Sequence, residues 1–152
     1  MNKKKWQIDD LADKMEFKNA ARVILTNSLN QVKDDIKNYL VTDSVEQLHK
    51  VRISLRRLRY SMELFISCFD KKKFMILYKK VEALQDLSGK VRDYDVMKDS
   101  MKLLANEENV KVNEEVFGKI DELRSEFYTG LKLELMKYLH SKSVRNFETI
   151  VD

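Results

Sequence analysis

The chain has 152 residues, 43% of them hydrophobic and 36% charged, with a net charge of +4, enough apolar material for one core. Pro is absent and Gly occurs 3 times, which excludes turn-rich sheets, sandwiches and Gly-rich phosphate loops. A single cysteine, Cys68, excludes an intramolecular disulfide and a Cys-based zinc site.

The composition therefore predicts an all-α protein, an antiparallel bundle of four to six helices forming one domain over 10–152. Residues 1–9 read as a frayed leader, with Trp6 docking back. The first helix is expected from about Asp10 to Leu40, because Leu25, Leu29, Val32, Ile36 and Leu40 recur at helical spacing. Ser44 with Gln47 three residues later predicts the cap of a second helix running to about Phe69. A third is expected over Lys72–Leu87, with Phe74, Leu77, Val81 and Leu84 as its apolar stripe and Ser88-Gly89 as a stop or kink. Asp93 is then expected to cap a short helix through Leu104. A long helix follows over Val112–His140, weakened at Gly130, and a short one over Val144–Val151. With no run of about 18 apolar residues and no signal-peptide pattern at the start, the chain is expected to be cytoplasmic.

The charge is unevenly placed. Lys50, Arg52, Arg56, Arg57 and Arg59 fall between Gln47 and Met62 with no carboxylate among them. That segment carries +5 and leaves −1 for the remainder. At 100° per residue the second helix shows three arcs. Leu48, Val51, Leu55, Leu58, Met62, Phe65 and Phe69 form the core arc; Lys50, Ser54, Arg57 and Ser61 are expected to face solvent. His49, Arg52, Arg56, Arg59, Tyr60 and Glu63 lie beside the core arc, where they would line a groove against a neighbouring helix. Like charges at i,i+4 disfavour an isolated helix, and guanidinium matches phosphate oxygens in pairs, so the arc suits a polyanion, beside the alternative of a basic face that is simply solvated. Glu46 and His49 make one Glu-x-x-His, but a di-iron bundle needs a second, and Lys137 stands where the Glu would precede His140. Neither metal nor cofactor is expected. Asp93 and Asp95 are expected to act as cap and as partners of Arg59 or Arg92 rather than as Mg²⁺ ligands.

The segment Leu48-His49-Lys50-Val51-Arg52-Ile53-Ser54-Leu55-Arg56-Arg57-Leu58-Arg59-Tyr60, followed by Met62-Glu63-Leu64-Phe65, resembles the signature of the conserved histidine α-helical domain, CHAD. A second block agrees, Leu84-Gln85 through Gly89 to Arg92-Asp93-Tyr94-Asp95-Val96. The tail Leu135–Ile150, with Ser143, Arg145 and Phe147, also resembles the end of such a module, so the likeness runs from about Ala20 to the C-terminus. The resemblance implies a non-enzymatic module that binds inorganic polyphosphate through a basic cavity. It assigns binding to His49, Lys50, Arg52, Arg56, Arg57, Arg59 and Arg92. It further implies association with triphosphate tunnel enzymes or polyphosphate granule proteins. The family usually carries two helical repeats per chain and this sequence one, which implies a homodimer. The alternatives are binding of RNA through its phosphate backbone, although only Tyr60 is aromatic in the cationic arc, and a helical protein-interaction module. A hydrolase is not expected, because no nucleophile–base pair or metal-ligand cluster is present.

Overall fold

The computed structural model describes residues 15–151 together with Ile8 and Leu11. Trp6 and, apart from Ile8, the expected leader lie outside the described residues. Five α-helices and one 3₁₀ turn follow one another: α1 (Phe17–Thr42), α2 (Val45–Phe65), the turn Ile66–Cys68, α3 (Lys71–Glu107), α4 (Glu114–Leu139) and α5 (Lys142–Val151). No strand occurs among the described residues, as the scarcity of turn residues required.

The caps are local chemistry. Ser44 Oγ accepts the Gln47 N–H at 3.1 Å and starts α2, supplying one of the donors that a helix N-terminus leaves unpaired. Asp70 accepts from the Lys72 and Lys73 N–H groups at 3.0 and 3.2 Å and starts α3. α1 begins at Phe17, not near Asp10, because Glu16 is extended, with φ −59° and ψ 143°. α2 stops at Phe65; the 3₁₀ turn turns Phe69 out of its register and onto Phe74, ring centroids 5.7 Å apart.

The largest departure from the sequence expectation is α3, one unbroken helix of 37 residues. Gly89 does not stop it. A helical glycine costs about 1 kcal/mol relative to alanine. Leu84, Ser88 and Val91 are buried on either side of it, and burying each large aliphatic side chain stabilises by about 1.5–3 kcal/mol. Packing therefore outweighs propensity. Asp93 sits inside this helix and caps nothing. α4 likewise continues through Gly130.

The core gathers Leu25, Leu29, Val32 and Ile36 from α1, Leu48, Val51, Leu55, Leu58 and Met62 from α2, and Phe74, Leu77 and Val81 from α3, closed by Leu131, Leu135 and Phe147. Ser54, expected in solvent, is buried; its hydroxyl donates to the Val51 carbonyl at 3.0 Å. That bond within its own helix satisfies the hydroxyl without water, so the covered arc of α2 is wider than its apolar residues suggest. Beyond Val91, α3 adds nothing to this core, and α4 joins it only from about Phe127. In between the two helices pair as an arm. Tyr94 stacks on Phe127 at 5.7 Å, Asp95 accepts from Arg124 at 2.5 Å, and Lys98 donates to Asp121 at 2.8 Å. The expected partners of Asp95, Arg59 or Arg92, are thus replaced by Arg124 on α4.

Candidate anion-binding seam

α2 and α3 lie antiparallel, and the groove between them carries most of the cationic arc. On α3 the facing residues are Tyr78, Glu82, Gln85, Gly89 and Arg92, at steps of four, three, four and three, one side of an α-helix. On α2 they are Arg52, Arg56 and Arg59 at steps of four and three. The two sets meet so that Arg59 lies level with Glu82 and Arg52 level with Gly89.

One end of the seam is internally satisfied. Arg59 Nε donates to Glu63 Oε1 at 3.1 Å and to the Tyr78 hydroxyl at 3.2 Å. Its Nη1 reaches Gln85 Oε1 at 3.4 Å and its Nη2 lies 3.5 Å from Glu82. The Tyr78 hydroxyl in turn donates to Glu63 Oε1 at 2.6 Å. The hydrogen bond to Tyr78, then the bond to Glu63, raise the Arg59 guanidinium above its ordinary value. Charge-assisted hydrogen bonds of this kind fix geometry as well as charge.

The other end is open. Arg52 is half-buried, and its Nε is covered by protein without a hydrogen-bond partner. Burial is the first reason its guanidinium is held below the ordinary arginine value; the neighbouring charge of Arg56 pushes the same way, Asp93 opposes it, and Arg92 adds the least to the lowering. No hydrogen bond or ion pair among the described residues engages Arg56 or Arg92. Arg52 approaches α3 at Gly89. A methyl group there would sit 3.9 Å from Arg52 Nη2, so a side chain longer than alanine would compete with the guanidinium for its place.

The remaining predicted residues spread around this end. His49 is exposed, contrary to the ordinary expectation of a buried, hydrogen-bonded histidine, and it stands one turn before Arg52. Lys50 is exposed and 3.9 Å from Glu46. Arg57 is exposed on the outer side of α2. No group of His, Cys, Asp and Glu suited to a metal exists among the described residues.

Sequence reading found the arginines and missed what sorts them. Glu63 already stood in the cationic arc, and Tyr78, Glu82 and Gln85 share one face of the helix expected over Lys72–Leu87, so the spacing alone could have shown the closing set. A second cluster was also missed. Asp43, left-handed at φ 53° at the end of α1, accepts hydrogen bonds from the Tyr128 hydroxyl and from Lys132 Nζ, the latter at 3.0 Å. Burial alone would raise its carboxyl, but the bonds from Tyr128 and Lys132 hold it below the ordinary range. Nearby, burial pushes the Tyr39 phenol up to about 12. This cluster ties the turn that launches the arginine helix to α4.

No helix among the described residues is long and apolar enough to cross a membrane. No curated protein and no solved structure matches the chain. The CHAD domain matches residues 4–102, a span that holds both blocks singled out in the sequence and the whole α2–α3 seam, while the tail Leu135–Ile150 lies outside it. On that match, the chain belongs to the CHAD domain family.

Proposed function

We propose that this protein binds inorganic polyphosphate, without turning it over, at the open end of the α2–α3 seam. CHAD domains are associated with polyphosphate, and this supports the substrate class. The observation that carries the reading is Arg52: a half-buried guanidinium with an unpartnered Nε, set against two further cations. Such a charge is costly for the free protein and is relieved by an anion. Arg52, Arg56 and Arg92 take the phosphates, with His49 and Lys50 widening the track and Arg57 meeting a polymer that wraps over α2. Arg59, already held by Glu63, Tyr78 and Glu82, keeps the seam in register.

The finer reading is a homodimer in which two seams engage one polymer, the second engagement being effectively intramolecular. Its functional partners are proteins that handle polyphosphate, triphosphate tunnel enzymes or granule proteins among them, in the cytoplasm.

The deciding experiment is competition between long-chain polyphosphate and single-stranded RNA at equal phosphate, across a salt series. Polyphosphate is expected to displace RNA, with affinity falling steeply as salt rises because counterions are released on binding. Equal competition by RNA would overturn the choice of ligand. Hydrolysis of the polymer by the purified chain would overturn the non-enzymatic reading.

A further inference from the structure

The face of α3 that packs on α2 does not end where α2 ends. The register that sets Arg52 against Gly89 and Arg59 against Glu82 brings Val45, the first residue of α2, level with Val96. α3 continues from there to Glu107, about 16 Å further at 1.5 Å per residue. Along that extension the same face carries Val96, Ser100 and Leu103, with Met97 and Leu104 on the flank beside it, all at helical spacing. In chain order, the four apolar side chains are 45%, 47%, 59% and 57% exposed. The opposite face is the one used up by α4, through Tyr94, Asp95 and Lys98. This half of α3 is therefore apolar on two sides and covered on one. Single exposed leucines need no explanation, whereas a stripe at helical spacing marks a contact surface.

The arrangement of the stripe identifies its occupant. Val96 and Met97 stand four and three residues before Ser100, and Leu103 and Leu104 stand three and four after it. An antiparallel copy of the same helix crossing at Ser100 sets Val96 against the second copy's Leu104 and Met97 against its Leu103. Surfaces that match themselves under a two-fold rotation are those of isologous pairs. A small residue at the crossing point lets the backbones approach. The charges at the rim also suit a copy of this chain. The second copy's Glu107 and Glu108, at the end of its α3, arrive level with Asp93 and Arg92, at the N-terminal end of α2 where His49, Arg52 and Arg92 stand. One like-charged pair results, Asp93 with the second copy's Glu107, and it lies among those cations. The arm as a whole, residues 93–126, holds ten carboxylates and five cations, opposite in sign to the +5 segment it meets. We infer that the chain self-associates as a two-fold dimer through the Val96–Leu104 face of α3, an interface that does not depend on the anion-binding reading.

The test is the mass of the intact chain in solution, without polyphosphate, over a concentration series. The expected result is a rise to twice the 18.1 kDa chain mass. Leu103→Glu should raise the dimer dissociation constant about tenfold or more, since both copies lose an apolar contact. Helix axes about 8–10 Å apart, less twice the 2.3 Å Cα radius, leave about 3.4–5.4 Å between the two Ser100 Cα atoms. This overlaps the disulfide range of about 4.4–6.8 Å. Ser100→Cys in a Cys68→Ser background should therefore cross-link two copies, and faster than a control cysteine at exposed Ser125. A chain that stays at 18.1 kDa throughout would assign the stripe to a different protein and overturn the inference. So would a dimer indifferent to Leu103→Glu, and a dimer that Ser100→Cys fails to link would overturn its two-fold geometry. Leu103→Glu alters no cation of the seam, so its polyphosphate binding separates failure here from failure of the proposed function.

Discussion

The two ends of the α2–α3 seam are built from the same residue type on the same helix, seven residues apart, and they do opposite things. Arg59 meets two carboxylates, a phenol and an amide. Arg52 meets a glycine, two more arginines and a single carboxylate at longer range. The difference comes from α3. Where it presents Tyr78, Glu82 and Gln85, arginine becomes a strut between helices. Where it presents Gly89 and Arg92, arginine remains a charge without a fixed partner. An arginine count therefore overstates a binding site, and the useful quantity is the number of cations left uncompensated after the helices have packed.

The largest effect that could break this comparison is on ligand affinity. Arg52→Ala should weaken polyphosphate binding about 10- to 150-fold, the range for loss of a charged hydrogen bond worth about 1.5–3 kcal/mol. Thermal stability should hold or rise slightly, because a poorly partnered cation is removed. A tight-binding Arg52→Ala variant would dissolve the distinction between the ends. Calorimetric titration beside a thermal melt reads both quantities.

Arg59→Met should show the reverse pattern. Loss of the bonds to Glu63, Tyr78 and Gln85 should cost about 1–2 kcal/mol of stability, with affinity falling only a few-fold. An Arg59→Met protein of unchanged melting temperature that no longer binds would move Arg59 into the ligand track.

Gly89 sharpens the contrast at similar cost. Gly89→Ala should stabilise the chain by up to about 1 kcal/mol, since a methyl fits at ordinary contact distance and helix propensity improves. Gly89→Leu should weaken binding as Arg52→Ala does, by displacing the guanidinium. Equal affinity in both variants would show that Arg52 does not need its place beside α3.

The smallest expected effect concerns the turn that sets the start of α2. Asp43 titrates below the ordinary carboxylate range, so its contribution is present above the unfolded value near 4 and is lost as pH falls through the lower folded value. Asp43→Asn should cost roughly 0.5–1 kcal/mol at neutral pH, the scale of a partly exposed ion pair, and nothing in acid. Denaturant melts at pH 7 and below pH 3 test that sign; a constant difference would show that the charge of Asp43 is not what matters.

Much of the fold was legible because it depends on short-range chemistry. Ser44 is a cap that a sequence shows directly, and the Leu25–Ile36 spacing defines a buried face whatever lies opposite. The unbroken α3 was not legible. Gly89 and Asp93 each carry a local signal for ending or starting a helix, and both were overridden by the burial of Leu84, Ser88 and Val91 against helices distant in the sequence. The burial of Ser54 was hidden for the same reason.

The candidate site divides along that line. Sequence by itself determined that one amphipathic helix carries five cations without a carboxylate, since charge and periodicity are properties of a single segment. It also determined the two blocks by which the family is recognised. Only the tertiary structure decided which arginines are spoken for. Whether a guanidinium is neutralised depends on groups from another helix, for Arg59 19 to 26 residues further along the chain and brought within about 3–4 Å by helix packing, and electrostatic interaction at that range is set by distance and burial rather than by order in the sequence.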